Sequence, residues 1–263
     1  KELAVATYTS TGTIIRLAKK LGYHGYEDFK ADFLKEVYYL DTHFKNIDPN
    51  FPFVKTDNIQ KIASKVTLLA QETLSDTLAL LEHDNLQKAL RIMQKANQIH
   101  LAAISYSLLL GQIFKLDMLR IGKNVNICNT NGEELFLPAV IKNNDFIIII
   151  SYSGEIHNLC SLARTLKGRS VPIIAITSLG DNELKKYADV VLHISTREKL
   201  YSKIAGYSNE NSIKLILDIL YSCYFNLMYD DNLARRIAIS KQAEVGREST
   251  LEIMKEDNTQ SGT

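Results

Sequence analysis

Two short segments carry hydroxyls at the point where an apolar run ends. Residues 145–159 read DFIIIISYSGEIHNL, so a run of isoleucines stops at Ser151-Tyr152-Ser153-Gly154-Glu155. Upstream, IHLAAIS leads into Ser105-Tyr106-Ser107, just ahead of LLLGQIFKLDMLRIG. In an open parallel sheet, ligands settle beyond the carboxyl ends of the strands. Loops there enter helix N-termini, whose free N–H groups and dipole suit an anion. Serine hydroxyls donate to phosphate oxygens, and a glycine lets the backbone come close. A serine before a helix is also an ordinary N-cap, which explains either loop alone. Both loops together favour a pocket, with Ser105, Ser107, Ser151, Ser153, Gly154 and Glu155 as its candidate ligand-binding residues.

Acid–base catalysis in such a pocket needs a group placed on the proton to be moved. Glu155, His157 and Glu210 are the available groups, but none stands at a diagnostic spacing, so no catalytic residue is assigned. The remaining histidines, His24, His43, His83, His100 and His193, are scattered singly and make no metal-ligand pattern. No Gly-x-Gly-x-x-Gly follows a strand and no Walker Gly-Lys-Ser/Thr occurs, so no nucleotide cofactor is expected.

A second group of polar residues lies near the N-terminus, in TSTGTIIRLAKKLGYHGYEDFK, residues 9–30. Ser10 stands where an N-cap would, and Ile14, Leu17, Ala18 and Leu21 form one apolar stripe that should face a core. Thr13, Arg16 and Lys20 then share the opposite face, with Lys19 on its shoulder, and no acidic residue occurs between Glu2 and Glu27. ELAVAT before it is another short helical piece, separated by a turn-length YTS. A cationic helix face is often only solvated. A short helix, a tight turn and an N-capped second helix are nevertheless what a DNA-recognition element needs. Ser10, Thr11, Thr13 and Arg16 would face bases, with Lys19 and Lys20 on phosphates.

The elements that must position these groups follow from periodicity. Residues 46–53, NIDPNFPF, read as a linker, and residues 58–81 as one amphipathic helix with a connecting or dimer-packing role. From Gln98 the runs IHLAAIS, NVNICN, FIIIIS, VPIIAITS and ADVVLHIS alternate with helical segments. That predicts a five-stranded parallel sheet flanked by helices. Residues 208–229 form a long helix, apolar nearly all round, which suggests a partner subunit; residues 234–255 read as a more polar helical tail. The chain of 263 residues is 46% hydrophobic with a net charge of +1, so it is globular and carries no polybasic coat. Cys128, Cys160 and Cys223 are odd in number and set in apolar surroundings, as in a reduced, cytoplasmic protein. Neither export nor membrane spanning is indicated.

The N-terminal segment resembles the DNA-binding part of the RpiR-type bacterial transcription regulators, on Leu3, Ala4, Ser10, Thr13, Arg16, Lys20, Leu21, Gly22, Tyr23, Gly25, Tyr26, Phe29 and Lys30. An N-terminal piece that completes its small core is expected ahead of Lys1. Residues of about 85–230 resemble the sugar isomerase (SIS) domain of the same family. The matches are Ser107, Arg120-Ile121-Gly122, Ser151, Ser153, Gly154, Glu155, Thr177 and Asp218-Ile219-Leu220-Tyr221. The chain departs from the family pattern at Ala103 and Ser105, where loop glycines are usual, at Ile156 in place of Thr, and at Asn209-Glu210 in place of Ser-Arg.

The resemblance implies a multidomain protein: a small all-α helix-turn-helix domain at 1–45, a linker and connecting helix at 46–84, and an α/β SIS domain at 85–256. It implies a cytoplasmic, non-enzymatic regulator of sugar or amino-sugar metabolism genes, a homodimer or homotetramer. Its partners would be operator DNA and a phosphosugar effector; the alternative is a sugar-phosphate isomerase.

Overall fold

The computed structural model describes residues 2–43, 47–128, 132–247 and 249–255. Helices α1 (Glu2–Ala6), α2 (Thr11–Lys20) and α3 (Tyr26–His43) form an N-terminal helical module. Ser10 adopts an extended backbone and its hydroxyl accepts the Thr13 N–H at 3.2 Å, which starts α2. Gly22, at φ +95°, ends it, with the Gly22 and Tyr23 N–H groups returning to Lys19 and Ala18 carbonyls. The expected apolar stripe of α2 is only partly covered. Ala18 is buried and Ile14 half-buried, whereas Leu17 and Leu21 are each 48% exposed.

The rest of the chain is a layered α/β unit. Strands β1 (Ile99–Ala102), β2 (Val125–Ile127), β3 (Phe146–Ser151), β4 (Ile173–Thr177) and β5 (Val190–His193) pair in parallel in the order β2-β1-β3-β4-β5. Every residue of β1, β3 and β4 is buried, because helices cover both faces of the sheet. Alternate residues divide between two cores. One face packs on α5 (His83–Lys95), α6 (Tyr106–Leu119) and α9 (Tyr207–Asn226). The other packs on α7 (Leu137–Val140) and α8 (His157–Gly168).

Helix α4 (Ile59–Leu80) lies against α9 of its own chain. Its buried residues include Thr73, Asp76 and Thr77. Thr73 Oγ1 meets Ser208 Oγ at 2.5 Å, Thr77 Oγ1 meets Ser212 Oγ at 2.7 Å, and Ser195 Oγ donates to Asp76 Oδ2 at 2.6 Å. The C-terminal tail is shorter and begins earlier than its periodicity predicts. Helix α10 spans Tyr229–Ala243, and a turn with Gly246 at φ +82° stops it before the single 3-10 turn Glu252–Met254. No helix among the described residues is long and apolar enough to cross a membrane.

Candidate functional site

The strand order reverses direction at β1: β2 lies on one side of it and β3 on the other. In this topology the crevice between the carboxyl ends of β1 and β3 is where loops diverge and a ligand can enter. Ala102 pairs with Ile149, so the loop after β1, with Ser105, and the loop after β3, with Ser151 to Glu155, leave the sheet side by side. The structure thus brings both hydroxyl-bearing loops to one place.

Neither loop uses its serines to cap the helix that follows. Ser105 is the N-cap of α6 but makes no side-chain capping bond, and it is held at φ 58°, a left-handed conformation costly for a residue with a Cβ. Helix α6 begins at Tyr106, so Ser107 sits in its first turn rather than in the loop. The N-cap of α8 is Ile156, which has no polar side chain. Both helix starts therefore keep backbone N–H groups without a side-chain acceptor, the arrangement an anion satisfies.

The β3 loop is tightly organised. Ser151 is 2% exposed and its hydroxyl accepts the Gly154 N–H at 3.1 Å; the Ser153 hydroxyl accepts the Glu155 N–H at 3.2 Å. Backbone donors take up oxygen lone pairs and leave both hydroxyl protons available to an incoming acceptor. Gly154, at φ +67°, is pressed against Asn182: a Cβ there would lie 2.1 Å from the Asn182 carboxamide. Asn182 in turn donates to Thr177 Oγ1 at 3.2 Å, at the end of β4. Leu184 N–H and Cys160 Sγ both donate to the Gly154 carbonyl, at 3.0 and 3.2 Å.

The candidate acid–base groups stand in different surroundings. Glu155 is exposed, and its Oε1 accepts the Glu183 N–H at 2.9 Å, so it staples the β3 loop to the segment after β4. His157 is exposed at the start of α8. Glu210 lies in the first turn of α9, and burial, with Glu198 nearby, raises its carboxyl pKa. The Glu198 carboxylate already occupies the start of α9, accepting the Ser208 and Asn209 N–H groups at 2.5 and 3.3 Å and pairing with Lys203 at 2.8 Å.

Several residues of this neighbourhood carry no sequence signal. Tyr152 stands between the two serines, and burial pushes its phenol up to about 12. Its hydroxyl donates to Glu198 O at 2.7 Å and accepts from Glu198 N at 3.0 Å. Asn182, Glu198 and Lys203 are brought in by loops far along the chain from the serines. Only the order of the strands makes them neighbours.

In the N-terminal module, Ser10, Thr11, Thr13, Arg16, Lys19 and Lys20 are all exposed. Ser10 and Thr13 hydroxyls lie 3.0 Å apart, and Arg16 Nη2 reaches Thr13 Oγ1 at 3.5 Å, so these groups share one face of α2. Lys19 and Lys20 sit in the last turn. Helix, four-residue turn and capped second helix form a helix-turn-helix, with this face turned to solvent.

Comparison with known proteins agrees with both parts. The family model described as the SIS domain matches residues 92–221. An uncharacterized HTH-type transcriptional regulator of Clostridium perfringens is 24% identical over 226 residues, 86% of this chain and 79% of its own. The NanR protein of Vibrio vulnificus, solved in complex with ManNAc-6P, superposes with a TM-score of 0.64 at 19% identity, covering 92% of this chain and 85% of that one. The sugar isomerase domain of an RpiR transcription factor from Sphaerobacter thermophilus superposes at 0.61 with 16% identity, over 69% of this chain and 99% of its own.

Proposed function

We propose that this chain, with a SIS domain at residues 92–221 behind a helix-turn-helix, has the organisation of the RpiR-type transcription regulators and binds operator DNA under the control of a phosphosugar. One observation carries the effector half. At the sheet's switch point two helices begin without side-chain caps, while Ser151 and Ser153 keep their hydroxyl protons free for an acceptor. An anion with a polyhydroxylated body satisfies both sets of donors. Ser105, Ser107, Ser151, Ser153 and the Gly154–Glu155 backbone are its contacts.

Sensing rather than turnover is favoured by Glu155, which is committed to the Glu183 N–H, and by Glu210, which has no second acid or base at hydrogen-bonding distance among the described residues. The exposed face of α2 meets DNA, with Arg16 reading a guanine edge and Lys19 and Lys20 on phosphates. Two such faces are needed for a palindromic operator. The apolar stripe Tyr106, Leu109, Ile113 and Leu116 along α6, each 40 to 60% exposed, supports a homodimer or a homotetramer built on it. A regulator of genes for sugar or amino-sugar metabolism would act in the cytoplasm, where its operator is.

The test is thermal denaturation with a panel of hexose and amino-sugar phosphates, alongside operator binding. A ligand present at a hundred times its Kd stabilises by about 2.7 kcal/mol. Ser151→Ala with Ser153→Ala is expected to abolish that stabilisation and the effector response while operator binding persists. Conversion of any sugar phosphate, lost on Glu155→Gln or Glu210→Gln, would establish the isomerase instead.

A further inference from the structure

The loop that follows β5 is gripped at two consecutive residues by two distant parts of the chain. On Glu198, the Tyr152 hydroxyl donates to the backbone carbonyl at 2.7 Å and accepts the backbone N–H at 3.0 Å. On Lys199, the N–H donates to Asn50 Oδ1 at 2.7 Å. Asn50 belongs to the segment that joins the helix-turn-helix to α4, and it is 7% exposed. Its carbonyl also takes the Ile204 N–H at 2.9 Å, and Asp48 Oδ1 fixes it through its own N–H and side-chain amide at 2.9 and 3.0 Å. Arg197, one residue earlier, is a third hold: its Nη2 donates to Ile47 O at 3.2 Å and to Glu72 Oε2 on α4 at 3.1 Å.

These contacts are directional and part-buried, and the Tyr152 hydroxyl and Asn50 Oδ1 meet on the two sides of the Glu198–Lys199 peptide. Displacement of the Glu198–Lys199 peptide away from Tyr152 also displaces the donor that Asn50 accepts. The Glu198 side chain prevents independent drift, since it is anchored on the N-terminus of α9 and on Lys203, whose ammonium stands 5.4 Å from the Tyr152 ring centroid. We propose that residues 197–204 form a latch that couples the Ser151–Glu155 loop, through Tyr152, to the strap of residues 47–57 leading to the DNA-binding module.

The signal rests on the phosphosugar reading of that loop; the latch does not. A ligand seated on Ser151 and Ser153 moves the residue between them and so loosens or tightens the strap. A coupling of this kind is reciprocal, so freeing the strap must also be felt at the loop. Local amide exchange reports such openings directly.

The experiment is amide hydrogen exchange on the ligand-free full chain, with Tyr152→Phe and Asn50→Ala. Tyr152→Phe removes the hydroxyl and keeps the ring. Exchange in residues 47–57 and 197–204 should then rise about fivefold to tenfold, with Phe146–Ile150 unchanged, as the loss of a hydrogen-bonded contact allows. Asn50→Ala, remote from the serines, should raise exchange in residues 151–155. If Tyr152→Phe also loosens the β3 strand, Asn50→Ala decides alone. Unchanged exchange at 151–155 in that variant overturns the latch. Glucosamine 6-phosphate and N-acetylmannosamine 6-phosphate serve as probes of the loop. A latch that responds to both substitutions in a protein stabilised by no sugar phosphate would sink the phosphosugar reading and leave the latch standing.

Discussion

Replacing Gly154 with alanine tests whether the backbone at the switch point is as tightly built as its geometry implies. At φ +67° a residue with a Cβ pays about 1–2 kcal/mol for the left-handed conformation alone. The new methyl would stand 2.1 Å from Cγ and Oδ1 of Asn182, well inside van der Waals contact. Asn182 cannot simply swing away. It is 5% exposed, its amide donates to Thr177 Oγ1 and Gly180 O, and its carbonyl accepts the Lys185 N–H. Overpacking at so constrained a position adds about 1–3 kcal/mol, for a total of about 2–5 kcal/mol. Urea denaturation measures this directly. Gly22→Ala and Gly132→Ala are the controls: both sit at positive φ, +95° and +90°, with nothing within 4 Å of the added methyl. They should lose only the conformational part, about 1–2 kcal/mol. If Gly154→Ala costs no more than these, the close approach to Asn182 has no energetic weight and the proposed rigidity of the serine loop is wrong. Loss of phosphosugar stabilisation should accompany the stability loss, because the Ser151 hydroxyl is oriented by the Gly154 N–H.

The remaining predictions concern DNA, the α4–α9 contact and pH. Arg16→Ala should cost about 1–3 kcal/mol in operator binding and blur its specificity, whereas Lys20→Ala should weaken all sequences alike and flatten the salt dependence in mobility-shift titrations. Thr73→Val removes the acceptor of the buried Ser208 hydroxyl and should destabilise by about 1–3 kcal/mol; adding Ser208→Ala should recover much of it in the same denaturation series. Burial lowers the pKa of His100 and His193 below the ordinary 6.5, with Lys185 adding to the shift at His193. The unfolded chain then binds more protons than the folded one in the window below 6.5, so stability present above that pH is lost as pH falls. Melting temperature should drop between pH 7.5 and 5.5, and His193→Gln should flatten the drop; a flat profile in the unmodified protein would refute the sign.

Legibility in the sequence follows the range of the interaction that decides each feature. Phe146–Ser151 is read correctly from its own residues, since a run of isoleucines ended by serine can be little else once helices alternate with it. Ser10 as the cap of α2 is equally local. Both serine loops are visible for the same reason, and so is their convergence, because a parallel sheet puts all strand ends on one side. Helix α4 shows the limit. Its periodicity identifies the helix, but the residues that bury it, Ser208 and Ser212, are 135 positions away from Thr73 and Thr77. A hydroxyl pair at that separation has no signature in either segment. Tyr152 reads as a spacer between serines until the loop after β5 is seen against it. The start of α6 at Tyr106 is missed by two residues, because Ser105 takes a left-handed conformation that nothing in its neighbours demands.

The polar seam between α4 and α9 also restricts how a signal can leave the sheet. Thr73 Oγ1 donates to Leu69 O at 2.8 Å and Thr77 Oγ1 donates to Thr73 O at 2.7 Å, so the protons in the two cross-helix pairs must come from Ser208 and Ser212. Ser212 Oγ further accepts the Ser195 N–H at 2.9 Å, which fixes its lone pairs as well. Each hydroxyl therefore has an assigned partner in one register. Sliding α4 along α9 by a turn would strand buried donors at about 1–3 kcal/mol each. A modest effector bias does not overcome that. Helix α4 is thus a fixed base, and the proposed latch would carry movement beside it, through the strap at residues 47–57 and the loop that holds Asn50.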